Sequence, residues 1–386
     1  MGGTSLDASL VLGCNPVLYH GAQFEGLPIN TSSLYIHPIG AGGGSLGYLD
    51  EAGALQVGPK SAGAVPGPAA YGRGGTEPTC TDAALAGGYL GVDTPLGGEL
   101  TLDRDKAIAS LQPIADSLGL SVSELARGML RISNTKIMGA VRAITIELGH
   151  DPKDFSLLSF GGGGGLVAVD VARELGIPEV IVPPGQGAFS ALGMLMADVQ
   201  HDLARTCVQL LGSVDPAETD AMFNDMEREA AAMLEEEGFG ADSRLFHRAV
   251  QVRYLGQEHS VAVEYPSDGS DPREVIRAEF DELHERQYGH VMEDPVELTT
   301  LRLSAVGVVD KPSIPKVAVR AAGETYPVSA RAVVLPNNET ADYTLVARET
   351  LLAGDVIEGP AVVTEHTATT VLHEGDRLEV GIYGEL

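Results

Sequence analysis

Five consecutive glycines, Gly161 to Gly165, separate the apolar run "DFSLLSF" from the helix-like "LVAVDVARELG", and "EVIVPP" follows as a second apolar run. Residues without a Cβ neither extend a strand well nor open a stable helix, so the chain must turn there. Strand, turn, helix and strand in that order read as a right-handed crossover unit, which requires a parallel sheet covered by helices. The chain is therefore expected to be α/β. Two uses of the turn stay open. Its bare backbone could approach a flat or anionic ligand beside a helix N-terminus, or it could let strand and helix pack tightly with no ligand. A dinucleotide fold is a weak rival, because the run does not lie near the start of a Rossmann unit.

At 386 residues the chain has room for two or three domains, and 44% hydrophobic against 20% charged residues indicates a globular protein. A net charge of −29 argues against nucleic acid and anionic membrane as partners. Cys14, Cys80 and Cys207 are isolated and odd in number, which excludes a disulfide framework and a zinc knuckle. No apolar stretch reaches membrane-spanning length and no signal-like segment opens the chain, so a reducing, cytoplasmic location is expected.

Residues 1–13 read as strand, turn and strand, with Leu10, Val11 and Leu12 returning, and "IGAGGGSLGYLD" sets a glycine loop between short apolar runs. Residues 57–90 are too rich in Gly and Pro for a regular element before Asp82, and their fixed turn residues predict an ordered, functional loop. A helix should begin at Ser121 with Glu124 completing a capping box, continue through Leu125, Met129, Ile132, Ile137, Val141, Ile144 and Leu148, and stop at Gly149. An acidic helix over 215–238, with Met222, Met226, Met233 and Leu234 as its apolar side, precedes alternating strands from about 244. A helix is expected near 271–288, and residues 315–386 contain no convincing helix.

Asp7 follows "GGTS", where a carboxylate could hold Mg²⁺ or orient water, or merely close a turn. No histidines stand at the i, i+4 spacing of a helical zinc site, and no GxSxG elbow is present.

Taken together, "MGGTSLDASLV", "IGAGGGSLGYLD", "VGPKSAGAVPGPAAYGRGGTEPTCTDA" and the stretch from "LLSFGGGGG" through "MADVQHDLART" resemble the hydantoinase A/5-oxoprolinase family, and the resemblance runs on through "VRYLGQEHSVAVEYP" and "HERQYGHVMEDPVELTTLRLSAVG". It implies an actin-like, sugar-kinase-like ATPase half-domain over 1–210, an α+β region over 211–314 and a small β domain over 315–386. It also implies ATP and Mg²⁺ as cofactors. Gly2, Gly3, Thr4 and Asp7 match the second phosphate-binding turn, Asp7 being the catalytic and metal-facing residue with Thr4, and Gly161, Gly162, Gly163 and Gly164 match the adenosine-contacting turn. Where the family more often ends that turn Ala-Gly-Pro, this chain reads Gly-Gly-Gly-Leu. The implied activity is phosphorylation of an amide or imide oxygen before a cyclic amide is opened. The alternatives are a subunit of an acetone- or acetophenone-type ketone carboxylase, or an inactive fragment that needs a partner. In the family "MGGTS" is internal, so either the sequence is truncated or a separate chain supplies the N-terminal half; such a chain and a hydantoinase B-type subunit are the expected partners.

Overall fold

The computed structural model describes residues 1–19, 22–24, 27–29, 33–335 and 337–386. The chain divides into two compact units, one formed by Met1–Leu192 with Ile314–Leu386 and the other by Gly193–Ser313. The fold is mixed α/β. Among the described residues no helix is long and apolar enough to cross a membrane.

The first unit opens with β1 (Leu6–Ser9), which pairs antiparallel with β2 (Ile36–Ile39). Leu10 does not begin a return strand. Val11–Leu12 instead pairs with Asn15–Pro16 in a short ribbon, because the reversal comes at Gly13 and Cys14, both at positive φ. The glycine loop Gly40–Gly44 leads into β3 (Ser45–Leu49), which pairs with β4 (Leu55–Ser61), so the long Gly/Pro segment starts as strand. α1 (Cys80–Ala86) follows, opened by a reciprocal cap between Thr79 and Asp82.

Next come α2 (Arg104–Leu118) and α3 (Val122–Ile144). The Ser121–Glu124 capping box is present, and Leu125, Met129, Ile137, Val141 and Ile144 are buried as their spacing predicts. Leu148 falls in a separate 3-10 turn, which Gly149 ends at φ 83. α2 has no counterpart in the sequence reading.

The crossover unit forms as expected. β5 (Ser156–Leu158) and β6 (Glu179–Ile181) pair in parallel, with α4 (Ala168–Leu175) between them. β5 is not the buried strand its composition suggests. Among the described residues it pairs along one edge only, and Leu158 is 46% exposed. Ile137 and Val141 of α3 and Val171, Ala172 and Leu175 of α4 form one buried layer, against which Leu6, Ile39 and Leu157 pack.

The second unit is a four-stranded antiparallel sheet, in the order β7 (Val199–Leu210), β10 (Val296–Gly307), β8 (Arg244–Tyr254) and β9 (Val261–Glu264). Helices α5 (Pro216–Glu236) and α6 (Pro272–Tyr288) share its core, where Phe223, Leu234, Tyr254, Phe280 and Leu298 are buried. The buried stripe of α5 runs through Thr219, Phe223, Met226, Ala230 and Leu234. Met233, expected on that side, is 38% exposed, since the bulkier Phe223 sets which face turns inward. The entering strand and the leaving strand are neighbours, with Val199 opposite Gly307. Asp198 clips their ends together, accepting from Val309 N at 3.0 Å and Lys311 Nζ at 2.5 Å.

Residues 314–386 return to the first unit and hold no α-helix among the described residues. β11 (Ser329–Val334), β12 (Thr340–Ala347), β13 (Ala361–Thr364) and β14 (Thr369–Leu372) form one sheet in that order. Val371 N donates to Gly165 O at 3.1 Å and Val182 N to Leu386 O at 2.8 Å, which ties this sheet to the crossover unit. This grouping differs from a divide at 210 and a separate 315–386 domain.

Asp355 braces the segment before β13. It accepts from Arg320 Nε at 2.7 Å and Arg320 Nη2 at 2.8 Å, and from Leu352 N at 2.7 Å. The guanidinium, then the backbone donor, hold its carboxyl below the ordinary value of 3.8. A depressed carboxyl stabilises the fold above its unfolded value, and the contribution is lost as pH falls through the folded one. Asp355→Asn should therefore flatten the acid limb of a urea-midpoint profile between roughly pH 5 and pH 2. A variant profile parallel to wild type would exclude this role.

Candidate functional site

Three glycine turns meet around the first four residues. In the first, Gly2 N donates to Ser5 O at 3.0 Å, which reverses the chain into β1. The second, between β2 and β3, lies against it. Gly43 N donates to Gly2 O at 3.1 Å and Gly44 N to Gly3 O at 2.6 Å. A Cβ on Gly42 would stand 2.7 Å from Gly3 C and from Thr4 N, so only glycine permits this approach. The third is the pentaglycine, where Gly163 N donates to Met1 O at 3.1 Å.

The first turn is thus gripped from both sides by backbone. Its outer face is open. Gly2, Gly3, Thr4, Ser5 and Asp7 are exposed, and a Cβ on Gly3 would meet nothing within 4 Å. Thr4 Oγ1 lies 3.2 Å from Ser61 Oγ at the end of β4, and Ser61 Oγ accepts from Gly63 N at 3.1 Å. The turn therefore also touches the Gly/Pro loop.

That loop is fixed from inside by Asp82, which is fully buried. Its carboxylate accepts from Thr79 Oγ1 at 2.7 Å, Thr79 N at 2.9 Å, Ala70 N at 2.7 Å and Ala69 N at 3.3 Å. Burial pushes the carboxyl above its ordinary value, and these donors pull the other way. Thr81 links the loop to the site, donating from N and Oγ1 to Gly43 O at 2.7 and 2.9 Å.

The pentaglycine is largely spoken for by its own chain. Gly161 has φ +86, and its Cβ would sit 2.4 Å from Met1 O. A Cβ on Gly164 would stand 2.6 Å from Phe160 O, and one on Gly165 2.5 Å from Thr369 O. Gly162 is exposed, although Thr367 O would be 3.0 Å from its Cβ, and at Gly163 the close neighbour is only the mobile end of the Met1 side chain. α4 begins at Ala168, two residues later than the sequence pattern suggests, and no side chain caps it.

The structure therefore brings Gly2, Gly3 and Thr4 together with Gly161 and Gly163 through Met1, and carries Asp7 on the adjoining strand. Sequence reasoning noticed the Gly42–Gly44 loop but assigned it no role, and it missed Ser61 and Thr81. The signal was the run "GAGGGS", as unusual as the pentaglycine itself. Among the described residues no group of three or more His, Cys, Asp or Glu could hold a metal. The exposed Asp7 carboxylate and the exposed Thr4 hydroxyl, three residues apart in the chain, are donors of the kind Mg²⁺ takes when it arrives on phosphates and keeps several waters.

Residues 1–203 match the hydantoinase/oxoprolinase family, and residues 215–382 match the hydantoinase/oxoprolinase C-terminal domain. This chain belongs to the hydantoinase/oxoprolinase family. Over 389 residues the hydantoinase/oxoprolinase chain is 33% identical to the caprolactamase subunit alpha of Pseudomonas jessenii, covering 98% of this chain and 56% of that protein. It is 30% identical over 408 residues to 5-oxoprolinase 1 of Arabidopsis thaliana, covering 32% of that protein. The crystal structure of the ATP-dependent caprolactamase superposes with a TM-score of 0.80 at 32% identity, covering 100% of this chain and 57% of that one. The nucleotide-free structure of acetone carboxylase gives a TM-score of 0.86 at 25% identity over the same shares. The hydantoinase/oxoprolinase chain thus spans about half the length of the caprolactamase subunit alpha.

Proposed function

We propose that this chain is the nucleotide-binding, substrate-activating part of an ATP-dependent hydrolase that opens a cyclic amide, built on an actin-like half-domain. One observation carries the reading. The Gly2–Gly3–Thr4 turn is held by two other glycine turns, yet its own residues are exposed with open space beside Gly3, and the exposed Asp7 follows on β1. Backbone restrained this strongly while left open suits a group that must be met closely and in a fixed position. The names of the matching proteins, caprolactamase and 5-oxoprolinase, support a cyclic amide as the substrate class.

ATP, when bound, would supply a phosphoryl group to the amide oxygen, making the ring carbon electrophilic. This chain's residues would then act by position and charge. The backbone of Gly2 and Gly3 and the Thr4 hydroxyl would contact phosphate, while Asp7 would hold Mg²⁺ or orient a water. Gly161 to Gly164 would back the adenosine side, with Gly162 and Gly163 the least occupied by their own chain. The family's N-terminal half, in the same polypeptide or in a partner chain, would complete the nucleotide site, and a hydantoinase B-type subunit would join the assembly. The subunit names of the relatives, among them caprolactamase subunit alpha and acetone carboxylase beta subunit, support such partners. Three unpaired cysteines fit a cytoplasmic location.

Gly3→Ala tests the reading directly. With no atom within 4 Å of the added methyl, stability should hold within ~0.5 kcal/mol, while affinity for a non-hydrolysable ATP analogue in the reconstituted assembly falls at least about tenfold. Gly161→Ala should behave oppositely in stability, costing about 1–3 kcal/mol through its positive φ alone. Unchanged nucleotide affinity in Gly3→Ala would leave the turn a packing device. The fit to acetone carboxylase favours a second reading, a ketone carboxylase subunit. Bicarbonate-dependent turnover of a ketone, with no amide hydrolysis, would select it.

A further inference from the structure

We propose that a cavity beside the end of β12 binds an aliphatic ammonium, with the charged head at Glu365 and the hydrocarbon against leucine and valine side chains. The cavity measures about 790 Å³, and the described residues that line it all belong to the first unit. Its walls come from the segments that follow α1, β6 and β12 and from the turn between β13 and β14. A cavity of this size takes a small organic molecule. None of the three glycine turns except through Thr367, whose carbonyl would stand 3.0 Å from a Cβ on Gly162, adjoins it.

An ion pair decides the sign of the ligand. The side chains of Arg348 and Glu365 pair in the wall and are only 10% and 11% exposed. Taking two charges out of water is costly, so such a pair persists where further bonds hold it. Arg348 is held well. Nη1 donates to Glu365 Oε1, and Nη2 donates to Val182 O at 2.9 Å and Gly384 O at 2.8 Å. These bonds account for the guanidinium, which ties three segments together. They account for half of the carboxylate. Glu365 Oε2 has no hydrogen-bond partner among the described residues, and an acceptor paired this deeply calls for a donor.

The remaining charges agree. Asp93 also lines the cavity, but Arg331 Nη2 donates to it at 2.6 Å. Glu349 lines it too, exposed and without an ion-pair partner among the described residues. Three carboxylates against two guanidiniums leave one negative charge. An anion would meet that charge and find Arg348 already bonded to three oxygens. A metal ion is a poor fit, since no group of three or more His, Cys, Asp or Glu could hold one among the described residues. Leu351 and Val380, both buried, and the half-buried Leu352 offer hydrocarbon instead. An alkyl chain with an ammonium head matches both halves of this wall. Opening a cyclic amide frees such a head, but the site does not rest on that reading, because binding is measured without nucleotide or turnover.

The full chain is titrated with hexylammonium, 1-hexanol and hexanoate, which share a chain length and differ in the charge of the head. Near neutral pH the amine is fully charged. Calorimetry gives affinity, and the methyl signals of Leu351, Leu352 and Val380 give position. Hexylammonium should shift those signals and bind at least about tenfold tighter than either of the others, as a charged hydrogen bond requires. Glu365→Gln keeps an acceptor for Arg348 but removes the charge, so binding should weaken at least about tenfold. Glu349→Lys alters an exposed side chain, should leave the melting temperature unchanged, and should weaken binding about threefold or more. It decides the matter if Glu365→Gln unfolds. Equal binding of all three ligands would show an apolar cavity only, and tighter hexanoate would give the site to Arg348. No binding, or binding that Glu349→Lys does not change, would leave the ion pair a structural tie. Each of these overturns the proposal. Displacement of hexylammonium by adenosine would make the cavity part of the nucleotide site and overturns it equally.

Discussion

Asp7→Asn should lower substrate-stimulated ATP hydrolysis by the reconstituted enzyme about a hundredfold or more, equivalent to about 3–4 kcal/mol of lost electrostatic stabilisation. The substitution removes a charge and almost no volume. Asp7 is exposed and stands opposite Pro38 in the β1–β2 ladder, so little packing depends on its carboxylate. Melting temperature should therefore match wild type, and the loss should appear in kcat with little change in nucleotide affinity. On the proposed reading the isolated chain should hydrolyse ATP negligibly, because a single phosphate-binding turn would enclose only part of a triphosphate. Normal turnover by Asp7→Asn in the assembled enzyme would reduce Asp7 to a surface residue of β1.

Asp82→Ala should have the largest effect on stability. The carboxylate collects the Thr79 hydroxyl and the backbone amides of Thr79, Ala70 and Ala69 at a fully buried position. Truncation leaves three backbone donors without a partner, and each such group costs about 1–3 kcal/mol, so a loss of at least about 3 kcal/mol is expected in urea unfolding. Asp82→Asn should fall between, since it retains one acceptor oxygen but turns a donor toward other donors. The damage should also reach the site, because Thr81 N and Oγ1 hold Gly43 from the same turn of α1. Limited proteolysis between residues 62 and 79 gives a second readout. A variant as stable and as resistant to cleavage as wild type would show that the Gly/Pro loop is held by something else.

The contrast between α3 and α2 shows what was legible. Ser121 and Glu124 state the start of α3 chemically, and five apolar residues at helical spacing state its buried face. α2 carries comparable signals in Asp103 and Gly119, but Pro113 sits inside it and reads as a breaker. Only packing shows that the break is tolerated, with Leu111 and Ala115 buried among residues of α1 and α3 and Ala107 beside Ala84 and Leu85 of α1. The glycines divide in the same way. A run of glycine announces that backbone will be approached, but not by what. At Gly161 and Gly164 the approaching group is the chain's own carbonyl oxygen, while at Gly3 it is open space. Of the apolar side read for α5, Met226 and Leu234 are buried in its inward stripe, while Phe223, which that reading left out, shares it and Met233 lies outside.

The adjacency of Val199 and Gly307 bears on how chains of this family diversify. A segment that enters and leaves through neighbouring strands, clipped at the base by Asp198 and Lys311, behaves like a cassette. It could be recombined between genes, or lengthened and shortened, without moving the ends of the chain it interrupts. Residues on either side of the cassette carry all three glycine turns and the C-terminal sheet bonded to Gly165. Selection on assembly or specificity could then act within 193–313 while the parts that meet around Met1 stay under separate constraint.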